Sequence, residues 1–341
     1  MKALLLAGKK KLELTDLAAP SPGAGDLLIR VKACGICGSD VHGYDGSTGR
    51  RIPPIVMGHE AAGVVERIGP GVQGYRPGDR ITFDSTIYCG ECGFCRAGKI
   101  NLCDRRRVLG VSCGEYRQDG CFAELVVIPQ RIAYRLPETM TFEDAAMVEA
   151  VSIAVHAVGR AQIKSAITLV VGAGMIGQLI IQAARAAGCA ALIAVDLDES
   201  RLERAKQFGA DHILNAASPN LAAEIQQLTH GGVQAAFDAV GVSASMRTAV
   251  GAARKGAVVV LVGNILPQVE IPLQTVVTRE LSLLGSCASS GEYPQCLELM
   301  ASRKIDVRPL ISAVAPLEDG AQWFSRLYAR EPGLMKVILK P

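Results

Sequence analysis

The sequence predicts an α/β protein of two domains, an antiparallel β body with long loops and a doubly wound parallel sheet. Three observations carry this. From Lys2 to about Tyr134, short apolar runs are broken regularly by Gly and Pro. Around Met140 the pattern becomes helical, and from Ile167 onward strand-like and helix-like segments alternate, starting with a strand that enters a glycine-rich turn. The chain has 341 residues, 49% of them apolar, which suits two folded domains and excludes a disordered or fibrous protein.

In the first part the expected strands are Ala3–Leu6, Leu12–Leu14, Leu27–Ala33, Ala61–Ile68, Arg80–Phe83 and Ala123–Ile128, with turns at Pro22-Gly23, Pro70-Gly71 and Pro77-Gly78. Within them, Cys34-Gly-Ile-Cys37-Gly-Ser39-Asp40-Val-His42 leads after a loop to Gly58-His59-Glu60. A thiolate and an imidazole beside glycines can reach one metal ion, although C-x-x-C alone also serves redox chemistry. Further on, Cys89, Cys92, Cys95 and Cys103 follow the spacing C-x2-C-x2-C-x7-C, which lets one short lobe wrap an ion with four thiolates. Such a site is closed, hence structural, and a working metal has to lie elsewhere. The remaining cysteines, Cys34, Cys113, Cys121, Cys189, Cys287 and Cys296, read mostly as core or chance thiols.

The segment from Thr141 to Val158 reads as one helix, with Thr141 as N-cap and acidic residues in its first turn. Glu149 lies in its apolar run, where a carboxylate calls for a metal or cationic partner. Next comes Ile167–Val171, the turn Gly172-Ala-Gly174-Met-Ile-Gly177, and an amphipathic helix over Gln178–Ala187. The three glycines suit a tight turn, a close approach of pyrophosphate and helix-on-strand packing. Asp196 ends the next strand nineteen residues after Gly177, where a carboxylate grips ribose hydroxyls and repels a 2′-phosphate. That favours NAD, with Arg201 leaving an allowance for NADP. The expected cofactor-binding positions are Gly172, Gly174, Met175, Ile176, Gly177, Asp196, Arg201, Val262 and Gly263. Helices at Glu199–Phe208, Leu221–Leu228 and Ser243–Ala253 alternate with strands at His212–Leu214, Ala235–Val240, Ala257–Val262 and Leu281–Gly285. Counted from Ile167 these make six strands, a complete dinucleotide fold. A helix over Tyr293–Ser302 and a strand over Met335–Leu339 close the chain.

A net charge of +3 without a long basic run implies no nucleic-acid partner; Arg105-Arg106-Arg107 reads as a solvated loop. The apolar run near Met1 is too short for a signal segment, and no membrane span is expected. Eleven cysteines then suit a cytoplasmic protein with metal ligands and free thiols.

Together these motifs resemble the zinc-containing medium-chain dehydrogenase/reductases, most closely the sorbitol dehydrogenase-like polyol dehydrogenases, over essentially the whole chain. The resemblance implies a GroES-like catalytic domain from residues 1–147 and 289–341 and a Rossmann domain over 148–288. It implies two zinc ions per chain, one catalytic and one structural. Cys37 and His59 match the catalytic ligands, while Glu60 and Glu149 compete as the third. Ser39 matches the hydroxyl that takes the substrate proton and His42 the imidazole that passes it on.

Two departures bear on substrate. Where animal sorbitol dehydrogenases carry Phe-Arg-Tyr, this chain has Cys287-Ala288-Ser289, and the usual Glu-Pro pair is Glu149-Ala150. The expected reaction is oxidation of a secondary hydroxyl of a polyol or sugar-derived compound to a ketone with NAD. L-threonine or polyol-phosphate dehydrogenases share the motifs, and a basic pocket at Arg50-Arg51 would favour a phosphate, although those arginines read as solvated. From another class, the alternatives are a non-catalytic nucleotide sensor and a zinc-free quinone reductase relative, the latter opposed by the intact Cys37, His59 and Cys89 to Cys103 sets. A homodimer or homotetramer is expected, paired through the edge strand Leu281–Gly285.

Overall fold

The structure, a computed structural model, describes residues 1–341 and divides into two compact units. The first comprises Met1–Glu149, Tyr293–Ala301 and Val307–Pro341; the second comprises Ala150–Glu292 and Ser302–Asp306.

The first unit is organised on the strand Asp26–Gly35, whose residues are buried almost without alternation because it is central. It pairs antiparallel with Glu60–Ile68, Leu125–Pro129 and Lys336–Lys340, in a seven-stranded sheet that also holds Ala133–Arg135, Arg80–Phe83 and Ile311–Pro316. The register sets Gly35 opposite both Glu60 and Ile338, so three chain segments far apart in sequence end side by side. Their apolar side chains join Leu4, Leu6, Phe83, Phe122 and Phe324 in one core, where the Phe122 and Phe324 rings meet edge to face at 5.6 Å.

In the second unit a six-stranded parallel sheet runs in the order His212–Asn215, Ala191–Asp196, Ile167–Val171, Val233–Asp238, Ala253–Leu261, Ser282–Gly285. This is the 3-2-1-4-5-6 order of a doubly wound dinucleotide fold, with the glycine turn leaving the central first strand. Leu169, Ile193, Ala236, Met246 and Val259 lie in its core.

Several expectations change. The helix expected from Thr141 is two helices, Phe142–Ala146 and Val148–Gly159, separated at Met147; Thr141 caps the first, its Oγ1 accepting from the Asp144 N–H at 3.0 Å. The helix after the glycine turn begins at Met175, because Gly174 itself serves as N-cap. Residues 286–292 stay with the second unit although sequence placed the return at residue 289: the Ser286 N–H donates to Leu261 and His156 pairs with Glu292 at 2.7 Å. Ser302–Asp306 belongs there too, tied by two hydrogen bonds between Gln182 and Asp306. The strand Ile311–Pro316 and the helices Gly38–Gly43, Leu273–Thr278 and Gly320–Tyr328 were not foreseen. Arg51 is not solvated: it is 4% exposed and lies against Asp40.

Candidate active site

Cys37 closes the central strand and caps the short helix Gly38–Gly43, its own N–H donating to Asp40 Oδ2 at 3.3 Å. Ser39 and His42 ride on that helix three residues apart, hence on one face, with His42 exposed. His59 arrives through Gly58, whose φ of +92° is open to glycine; a Cβ there would also sit 2.9 Å from Cys34 Sγ and from Phe122. The next residue, Glu60, starts the neighbouring strand.

The ligand atoms of Cys37, His59 and Glu60 lie within 4.8 Å of one another. A thiol, an imidazole and a carboxylate converging in this way match the donor set of an open zinc site. His59 turns Nδ1 toward Asp40 Oδ1 at 3.4 Å and Nε2 toward Ser39 Oγ at 3.5 Å. Nδ1 makes no hydrogen bond at that distance, and the carboxylate acts on the imidazole through its charge. Burial opposes a charge on His59, but Asp40 and Cys37 outweigh it and hold the imidazole's pKa well above its ordinary value. Glu60 is fully buried and shares Oε2 with the Lys336 ammonium in a close ion pair. Glu149 lies outside the compact set, half-buried; burial, reinforced by Glu60 and Asp84, pushes its carboxyl up to about 7.

Asp40 is completely buried, and Arg51 donates to its Oδ1 from Nε at 3.2 Å and Nη2 at 2.8 Å. Burial alone would raise Asp40, but the charges of His59 and Arg51 hold it well below the usual carboxylate range. Arg51 Nη2 also reaches Ser39 Oγ at 3.4 Å. Asp40 and Lys336 had no role in the sequence expectations, and Arg51 was expected to be solvated. Asp40 was visible as an acid three residues from a candidate ligand; Lys336 carried no signal, since its partner lies 276 residues away.

The thiols of Cys89, Cys92, Cys95 and Cys103 likewise gather within 4.8 Å. Cys89 Sγ and Cys95 Sγ are 3.9 Å apart, close to the ~3.8 Å edge of a tetrahedron with zinc–sulfur bonds near 2.3 Å. Backbone N–H groups point at the sulfurs: Cys92 to Cys89 Sγ at 3.3 Å, Cys95 to Cys92 Sγ at 3.4 Å and Cys89 to Cys103 Sγ at 3.2 Å. The amide of Cys92 in particular draws the Cys89 thiol down to about 6, whereas burial pushes Cys95 up to about 12. Four thiolates this close repel one another unless a cation sits between them.

In the second unit, Gly172 (φ +94°) makes the turn, and a Cβ on Gly177 would lie 1.8 Å from the Gly172 carbonyl oxygen, so the helix packs there only as glycine. A Cβ on Gly174 would meet nothing within 4 Å, which leaves open space beside the first turn at Met175 and Ile176. That opening at a helix N-terminus suits an anionic group such as pyrophosphate. Asp196 ends its strand with Oδ2 accepting from the Ala173 N–H at 2.6 Å and Oδ1 from the Asp198 N–H at 2.9 Å, while Arg201 Nη1 stands 4.0 Å away. Val262 and Gly263 both donate from their backbone N–H to the Asp238 carbonyl, at 3.0 and 2.9 Å. No helix is long and apolar enough to cross a membrane.

Comparison with known proteins agrees with both halves. The family model described as alcohol dehydrogenase GroES-like domain matches residues 23–138, and that of zinc-binding dehydrogenase matches residues 175–302. L-idonate 5-dehydrogenase of Vitis vinifera is 37% identical over 91% of this chain and 86% of its own length. Sorbitol dehydrogenase of Bacillus subtilis strain 168 is 31% identical, over 100% and 97%. The alcohol dehydrogenase rspB of E. coli CFT073, solved with NADH, superposes with a TM-score of 0.92 at 31% identity, covering 100% of this chain and 99% of its own.

Proposed function

The chain belongs to the zinc-containing medium-chain dehydrogenases of the polyol dehydrogenase group, and on that premise we propose that it oxidises a secondary hydroxyl of a polyol or sugar acid to the ketone with NAD. The observation that carries this reading is the convergence of Cys37, His59 and Glu60 within 4.8 Å, with Ser39 Oγ against His59. Relatives named for L-idonate and sorbitol point to the substrate class.

Cys37 and His59 would hold zinc together with a glutamate; Glu60 stands in the compact set with one oxygen shared with Lys336, and Glu149 is its alternative. Bound zinc would supply Lewis-acid stabilisation of negative charge on an alcohol oxygen, and bound NAD would supply the hydride acceptor. The protein's own residues handle the proton. Ser39 Oγ accepts it from the substrate hydroxyl and yields its own toward His42, whose exposed imidazole releases one to solvent. Arg51 orients Ser39 and keeps Asp40 charged behind His59.

Met175, Ile176, Val262 and Gly263 would line the cofactor beside the three glycines. Asp196 favours NAD, because its carboxylate opposes a 2′-phosphate and Arg201, at 4.0 Å, is drawn toward it. The four-cysteine lobe would hold a second, structural zinc. Pairing through Ser282–Gly285 into an oligomer is part of the same proposal, as is a cytoplasmic location, which suits a chain whose cysteines carry metal-ligand spacing. A phosphorylated substrate is disfavoured by the engagement of Arg51 with Asp40, which leaves Arg50 as the exposed arginine of the pair.

The test is zinc-loaded protein with C4 to C6 polyols, sugar acids and polyol phosphates, each with NAD and NADP, followed by nicotinamide absorbance. Reduction of NAD with an unphosphorylated polyol or sugar acid is expected. Absence of reduction with every pair would overturn the reading, and zinc analysis showing fewer than two ions per chain would remove one of the two metal sites.

A further inference from the structure

Ala173, inside the glycine turn, is pinned on both sides. Its N–H donates to Asp196 Oδ2 at 2.6 Å, and its carbonyl accepts from Gln178 Nε2 at 2.9 Å. The same Nε2 gives its second hydrogen to the Arg201 carbonyl at 2.8 Å. Two carbonyl acceptors fix which end of the amide is nitrogen. Gln178 is fully buried and its Oε1 finds no partner, a condition that an apolar residue at this position would avoid. The fold retains a costly polar group whose two donated bonds both end on backbone.

Those bonds have a geometric consequence. A trans peptide holds its C=O and N–H antiparallel, and the Pro53-Pro54 bond is the only cis peptide in the chain. With the Ala173 carbonyl turned in toward Gln178, the Gly174 N–H of the same peptide points the opposite way. It donates to no backbone group of the chain, and the space beside Gly174 is open.

We propose that Gln178 is a positioning residue for the dinucleotide pyrophosphate: by holding the Ala173 carbonyl it aims the Gly174 N–H outward as an anion donor, and by holding the Arg201 carbonyl it ties the helix Glu199–Gln207 to its own helix, Met175–Ala186. The proposal rests on the dinucleotide reading above and adds a residue outside the glycine fingerprint.

The test is binding, measured as displacement of NADH fluorescence by ADP-ribose and by adenosine from the full-length wild type and from Gln178→Leu. Gln178→Met, unbranched and without the amide, is the second variant should leucine not be accommodated. ADP-ribose should weaken by about tenfold, the loss expected for one hydrogen bond to a charged group, while adenosine stays within about twofold. In the wild type, the Gly174 amide resonance should move downfield on adding inorganic pyrophosphate and stay in place with adenosine. Unchanged ADP-ribose affinity in a folded variant, equal losses for the two ligands, or an unmoved Gly174 amide would each overturn the proposal. A wild type that binds NADH but shows one of these results leaves the dinucleotide reading standing; one that binds neither NADH nor ADP-ribose refutes both.

Discussion

Replacing Arg51 with methionine should cost far more than any surface charge change in this protein. The guanidinium makes two hydrogen bonds to Asp40 Oδ1, at 3.2 and 2.8 Å, one to the Arg50 carbonyl at 3.0 Å, and a long contact to Ser39. Methionine keeps the apolar stem and removes all four. Asp40 would be left with the Cys37 N–H at 3.3 Å and the His59 ring at 3.4 Å. With zinc bound the imidazole carries no proton and the ion's charge acts on Asp40 only across that ring, so a carboxylate that is 0% exposed loses its one directly bonded cation. Removing one partner of such a buried pair costs about 3–5 kcal/mol, because the other stays desolvated and uncompensated. Lys11 and Glu13 offer the internal control: their 2.6 Å pair has side chains 67% and 46% exposed, so Lys11→Met should change stability by less than about 0.5 kcal/mol. Urea unfolding of the zinc-loaded proteins at neutral pH, followed by circular dichroism, measures both. An Arg51→Met loss below about 1 kcal/mol would refute the claim that this pair is sealed from water and unsupported by other charges.

Other outcomes follow from the same contacts. Cys103→Ser should lower bound zinc by one ion per chain and reduce thermal stability before it affects turnover; metal analysis beside activity checks this, and an equally stable but inactive variant would contradict it. Gly177→Ala drives a Cβ to 1.8 Å from the Gly172 carbonyl oxygen, so it should cost more than about 3 kcal/mol or abolish dinucleotide binding, read by calorimetry and NADH fluorescence. Burial alone would raise Glu292, but the bond to His156 and the Ser290 N–H hold its pKa below the ordinary 4.5. A depressed carboxylate lends stability that is present above the unfolded value and lost as pH falls through the folded one. Glu292→Gln should therefore cost about 1 kcal/mol at neutral pH, with the gap to wild type closing below about pH 4.5; a constant gap from pH 7 to 4 would count against it.

Sequence alone determined what lies within a few residues of its own signal. The four-cysteine spacing, the strand, glycine turn and helix around Gly172–Gly177, Asp196 at a strand end, and Cys37 and His59 beside their glycines are local patterns, because turns and short ligand loops are set by neighbouring φ/ψ preferences and donor types. Six parallel strands could be counted for the same reason. The tertiary structure decided what depends on register and burial. Which carboxylate stands with Cys37 and His59 follows from Gly35 facing Glu60 across the sheet, and Lys336 meets Glu60 only because the last strand pairs beside that edge. Arg51 looked like one of two solvated arginines until the packing of Gly38–Gly43 buried it against Asp40. The strand Ile311–Pro316, largely exposed, has too weak an alternation to declare itself and exists because Lys336–Lys340 offers it an edge. Long-range pairing carries no periodicity in the chain, so charge partners and register emerge only when the fold closes.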